Sequence, residues 1–128
     1  MPAAPWKSLR AADPTREYLA LLSFLPLKGF WDLWPFARGT LGVMKQLSAA
    51  PGLIGYTLLA RPFAKNFWTL SAWEDEAALK AFVRHPPHVR IMVSLAPHMR
   101  QTKFVQWSVK GAELPLRWDD ALRRAAHP

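Results

Sequence analysis

The stretch that decides the fold is Phe67 to Met99, FWTLSAWEDEAALKAFVRHPPHVRIMVSLAPHM. Asn66-Phe67 to Trp73 has the β-branched, aromatic and alternating character of a strand. Asp75 follows as a helix N-cap, with Glu74 and Glu76 beside it where acidic groups favour the helix dipole. Leu79, Phe82 and Val83 then recur at helical spacing, so a strand is joined directly to a capped helix. Pro86-Pro87 breaks that helix after His85. A further helix from Pro87 to Leu95 places His88, Ile91, Met92 and Leu95 on one face, and Pro97 ends it.

Working outward, Leu53 to Arg61 reads as a strand joined to 66–73 by the short turn Pro62 to Asn66, which makes an antiparallel hairpin. Asp32-Leu33-Trp34-Pro35 opens a helix with the stripe Phe36, Thr40, Val43 and Leu47, closed by Pro51-Gly52. Arg16 to Leu27 is a strand with Tyr18, Ala20, Leu22 and Phe24 on one side and Leu19, Leu21, Ser23 and Leu25 on the other. Both sides are mostly apolar. One subunit's helices are expected to cover only one of them, which points to a homodimer through the other. Thr102 to Lys110 is a fourth strand, and Leu116 to Ala126 a terminal helix with Trp118, Ala121, Leu122 and Ala125 on its apolar side. The order of the first six elements is the split βαβ pattern of a ferredoxin-like α+β sandwich on a four-stranded antiparallel sheet, with an extra C-terminal helix. Residues 1–13 are expected to be an extended segment and 14–126 a single domain.

Composition excludes several functions. The chain has 128 residues and no Cys, so disulfides and thiolate chemistry are absent. A net charge of +8 raises the chance of an anionic partner, but the basic residues are dispersed. No nucleic acid or membrane partner is expected, since no basic run and no apolar run of about 20 residues occurs. No signal peptide is read at the N-terminus, and with zero Cys a cytoplasmic location is expected.

The strand followed by Trp73-Glu74-Asp75-Glu76-Ala77-Ala78-Leu79-x-x-Phe82, with a His at 85 or 88, resembles the antibiotic biosynthesis monooxygenase family of the dimeric α/β barrel superfamily. The resemblance implies a homodimer of facing sheets and a pocket between sheet and helices for a small hydrophobic or aromatic ligand. It implies a cofactor-free monooxygenase of enolisable or phenolic aromatic substrates. Two alternatives stand beside it: a non-catalytic binder of a hydrophobic anion such as haem, and a structural dimerisation module. The haem-degrading branch of the superfamily would put its ligand histidine near Met92, where this chain has none.

The candidate catalytic residues are His88, His98 and Trp73. A neutral imidazole accepts a proton from an acidic carbon or phenol near pH 7. The competing reading of His88 is a structural core histidine, and of Trp73 a core wedge. Arg84 and Arg90 are candidates to hold an anionic substrate, with Tyr18 and Ser71 as strand-borne groups that could orient it. His85, His88 and His98 have no metal-ligand spacing, so neither a metal nor another cofactor is expected.

Overall fold

The computed structural model describes residues 4–85 and 88–126. The predicted break at Pro86-Pro87 lies outside them. Five strands form one antiparallel sheet: β1 (Lys7–Ser8), β2 (Glu17–Pro26), β3 (Leu53–Arg61), β4 (Asn66–Trp73) and β5 (Lys103–Lys110), in the order β1-β3-β4-β2-β5. Among the described residues four α-helices accompany them: α1 (Leu33–Ser48), α2 (Glu76–Arg84), α3 (His88–Leu95) and α4 (Trp118–Ala126). The class is that of the ferredoxin-like sandwich. The sheet has one strand more than the sequence pattern predicts, because Lys7 and Ser8 pair with Tyr56 and Gly55 at its edge.

Local chemistry explains most element boundaries. Asp75 caps α2 as read from the sequence, its carboxylate accepting from the Ala78 N–H at 2.8 Å. His85 is the C-cap, in extended conformation. Asp32 precedes α1 but makes no cap bond; its carboxylate is committed elsewhere, as described below.

Register sets what each sheet face carries. Leu22 lies opposite Leu70, and Ala20 opposite Ala72. These residues join Tyr18, Ile54, Val109, Leu116 and Ala121 in one core cluster. Leu19 lies opposite Trp73 and Leu21 opposite Ser71, on the other face. There Trp73, Leu53 and Tyr56 pack with Leu47 of α1 and Leu79 and Phe82 of α2. A third cluster, Leu27, Phe36 and Leu95, fastens α1 and α3 to the far end of β2.

The first of these faces corrects the expectation that one chain's helices leave it bare. Leu116 and Ala121 of the C-terminal segment are buried on it, and Trp118 and Ala125 pack alongside. Trp6 of the N-terminal segment lies over Gly55 so closely that a Cβ there would stand 2.5 Å from its indole nitrogen. Phe24, Trp68, Val105 and Trp107 stay half-buried on the same face. The predicted apolar face of α3 needs a second correction: Met92 is exposed, while Ile91 and Leu95 turn inward.

Gly111 ties the end of β5 to the segment before β2. Its N–H donates to Arg16 O at 2.9 Å, and a Cβ would overlap the Asp13 carbonyl and meet the Tyr18 ring at 3.1 Å. Backbone cannot swing aside as a side chain can. Gly111→Ala is therefore expected to destabilise by about 1–3 kcal/mol, the usual range for overpacking, read as a lower midpoint in urea unfolding.

Candidate functional site

The titratable and aromatic groups of the helical face form a ladder that starts on β4. Alternation puts Ser71 and Trp73 on the same face of that strand. Both are buried, and Trp73 Nε1 donates to Ser71 Oγ at 2.9 Å. Phe82, one inward turn along α2, packs on Trp73 with ring centres 5.2 Å apart. His88, the first residue of α3, packs on Phe82 in turn, with ring centres 4.9 Å apart.

His88 Nδ1 lies 3.2 Å from the Val83 carbonyl. A carbonyl only accepts, so this bond assigns the imidazole proton to Nδ1 and leaves the Nε2 lone pair available. Burial pushes the His88 pKa below its ordinary value, against the smaller opposing effect of the Val83 bond. The ring is therefore neutral near pH 7, in the tautomer that can accept a proton at Nε2.

Phe82 also lines an open groove of about 380 Å³ between α2 and the end of α1 with the turn that follows it, together with Gln46, Ala50, Glu74, Ala78 and His85. The groove is mostly apolar. Gln46 Nε2 donates to the carbonyls of Phe82 (3.2 Å) and His85 (3.4 Å), which fixes the amide orientation. Its buried Oε1 meets no donor among the described residues. Phe82 thus belongs both to the wall of this groove and to the ladder that joins Trp73 to His88. Sequence reasoning assigned Phe82 to the core, and nothing in its spacing signals the second role.

The other candidates are dispersed. His98 sits beyond the far end of α3, roughly 15 Å along the chain from His88 at 1.5 Å per residue. Its Nδ1 pairs with Asp32 Oδ1 at 2.6 Å. That bond, with the Gly29 N–H donating to Oδ2 at 2.7 Å, holds the Asp32 carboxyl below the usual carboxylate range. Tyr18 is on the opposite sheet face, its hydroxyl accepting from the Asp13 N–H. Arg84 and Arg90 are exposed on α2 and α3 either side of His88. Ser71, Trp73 and His88 are therefore brought into one assembly, and Tyr18 and His98 are not part of it. No three His, Asp or Glu side chains gather in metal-binding geometry among the described residues. No described helix is long and apolar enough to cross a membrane.

Residues 38–93, from α1 into α3, match the model of the antibiotic biosynthesis monooxygenase family. No curated protein matches the chain. Among solved structures, SnoaB, a cofactor-independent oxygenase from Streptomyces nogalater, is 14% identical with a TM-score of 0.62, over 79% of this chain and 100% of that one. A conserved protein from Methanosarcina mazei Go1 is 15% identical with a TM-score of 0.64, over 70% of this chain and 90% of that one. A structure described as an antibiotic biosynthesis monooxygenase is 18% identical with a TM-score of 0.63, over 70% and 95% of the two chains. The chain therefore carries a ferredoxin-like fold and, from α1 into α3, a match to the antibiotic biosynthesis monooxygenase family that its strand–Trp73–capped-helix pattern resembles.

Proposed function

We propose that the protein is a cofactor-free monooxygenase of small enolisable or phenolic aromatic substrates. The observation that carries this reading is His88: a neutral imidazole with its proton committed to Val83 O, its Nε2 lone pair free, packed in an aromatic ladder. The substrate enters at the groove over Phe82, and displacement of that ring brings it to His88. Nε2 takes a proton from the activated carbon or phenol. The resulting electron-rich carbanion adds O2 to form a C–O–O bond, and the imidazolium returns its proton to the distal oxygen. Loss of water leaves the carbonyl. One oxygen atom is in product and one in water, so a substrate with two removable hydrogens needs no outside reductant. Arg84 and Arg90 supply positive potential to the anion. SnoaB's description as a cofactor-independent oxygenase supports the same chemistry.

The test is oxygen uptake with anthrone as probe, with a chelator present and no added cofactor. The expected result is one O2 consumed per carbonyl formed, well above the spontaneous rate. A rate equal to that of buffer with an inert protein would defeat the reading.

The same reading includes a homodimer. The half-buried Phe24, Trp68, Val105 and Trp107 form an apolar remainder on the face that α4 only partly covers. At about 25 cal/mol per Å², covering a further few hundred Å² is worth several kcal/mol. Light scattering after size exclusion at micromolar concentration is expected to give about twice the 14.5 kDa chain mass. A clean monomer would remove the dimer from the reading.

A further inference from the structure

The two ends of the sheet differ in chemistry. At the end where Glu17 pairs with Lys110 and Leu53 with Trp73 lie Asp13, Glu17, Glu74, Asp75, Glu76 and Glu113. Asp119 and Asp120, on α4, are engaged by Arg117, Arg123 and Arg124. Roughly 30 Å away along ten residues of β2, at the end where Pro26 faces Asn66, the acids are reduced to Asp32. Its carboxylate is occupied by His98 and the Gly29 N–H. Lys28, Lys65 and Arg100 sit at this second end with Asp32 as its one acid, so the local balance there is positive.

The same end exposes four aromatics: Phe63 at 95%, Trp31 at 78%, Trp34 at 72% and Phe30 at 58%. They come from separate segments that the fold binds together. The β3–β4 turn carries Phe63, and its Lys65 carbonyl accepts from the Leu27 N–H at 2.8 Å. Lys65 adopts the left-handed conformation, with φ of 60°, which closes the turn. Lys28 N donates to His98 O and Arg100 N to Pro26 O, while Arg100 also reaches Asn66 Oδ1 at 3.1 Å. Trp31 lies in the turn that leads into α1 and Trp34 in its first turn, and Phe36, two residues on, is anchored on Phe67 with ring centres 4.5 Å apart. The exposed rings thus stand on a rigid base.

We infer that this end docks on an anionic phospholipid bilayer, with the Trp and Phe side chains entering the interfacial layer and the basic residues facing the headgroups. Tryptophan is suited to that boundary, with an apolar body and one polar N–H. Charge complementarity selects an anionic surface: each Lys or Arg close to it contributes roughly fivefold in partitioning. The sequence reading of no membrane partner rested on the absence of a spanning segment, and a docking end needs none.

The experiment is cosedimentation of the full chain with vesicles of equimolar phosphatidylglycerol and phosphatidylcholine, against phosphatidylcholine alone. Binding is expected to be at least tenfold tighter on the anionic vesicles and to weaken about tenfold between 50 mM and 500 mM salt. The surface variant Trp31→Ser/Trp34→Ser/Phe63→Ser should keep the wild-type circular dichroism and lose binding by about tenfold or more. Brominated lipid should quench wild-type tryptophan emission more than that of the variant. Absence of binding to anionic vesicles at low salt overturns the inference. So does equal binding by the variant, which would reduce the effect to diffuse charge. A doubled molecular mass that disappears in the variant would assign the patch to a second copy of the chain and overturn it too.

Discussion

His88→Gln is expected to lower turnover in cofactor-free oxidation by roughly 10²–10⁴, the range for loss of a general base. The amide keeps a donor for Val83 O and a similar volume, so the contact at 3.2 Å and the packing on Phe82 can be retained. What it loses is basicity. Circular dichroism and thermal midpoint should stay near wild type while turnover drops. Full activity in the variant would place the base elsewhere, with the His98–Asp32 pair next to test. Loss of folding would mean that His88 is a core histidine.

The pH profile gives an independent reading of the same group. The base works in its neutral form, so activity rises as His88 deprotonates. Burial lowers its folded pKa below the ordinary value of 6.5. The acid limb of kcat/KM should therefore fall below that value, with a plateau through neutral pH. The linked stability has the same sign. With the folded pKa depressed, the contribution is present above the ordinary histidine value and is lost as pH falls through the depressed one. In His88→Gln both dependences should flatten.

How far the sequence reaches depends on how local each cause is. Strands 53–61 and 66–73 are legible because period-two alternation and a short turn are properties of neighbouring residues. The Asp75 cap is legible for the same reason: its partner, Ala78 N–H, lies three residues on. Parity also separates Trp68 from Trp73. It does not say whether Tyr18 shares a face with Ser71, since that needs the register of β2 on β4, and Leu21, not Tyr18, turns out to share Ser71's face. The Asp32–His98 pair spans 66 residues and has no local signature. The edge strand Lys7–Ser8 is too short to carry a period. The covering of one sheet face by α4 and Trp6 is likewise invisible, because an amphipathic helix announces that it will pack and not where. The exposure of Trp31, Trp34 and Phe63 inverts the usual reading of a large aromatic as core, and only the fold reveals it.

The largest stability effect is expected at the inner end of the ladder. Trp73 is 1% exposed and is enclosed by Leu53, Leu79 and Phe82. Trp73→Ala removes a full aromatic volume and should cost about 3–5 kcal/mol, a large share of the 5–15 kcal/mol typical of a whole domain. Guanidinium unfolding would show this as a much lower midpoint at nearly unchanged slope. A loss under about 1 kcal/mol would mean that the site collapses freely and that Trp73 is no core wedge. Ser71 refines the test. Ser71→Ala leaves the buried indole N–H without its acceptor at 2.9 Å, which should cost about 1–3 kcal/mol. In Trp73→Phe the hydroxyl loses a donor, but it can turn to serve another acceptor, so that change should cost less per polar atom lost. Made in the Trp73→Phe background, Ser71→Ala strands no polar group and should be milder than in wild type. The difference is the coupling energy, expected at about 0.5–3 kcal/mol for groups in direct contact. A Ser71 whose main task were to hold substrate would behave otherwise: Ser71→Ala would raise KM with little change in stability, and the coupling to Trp73 would vanish.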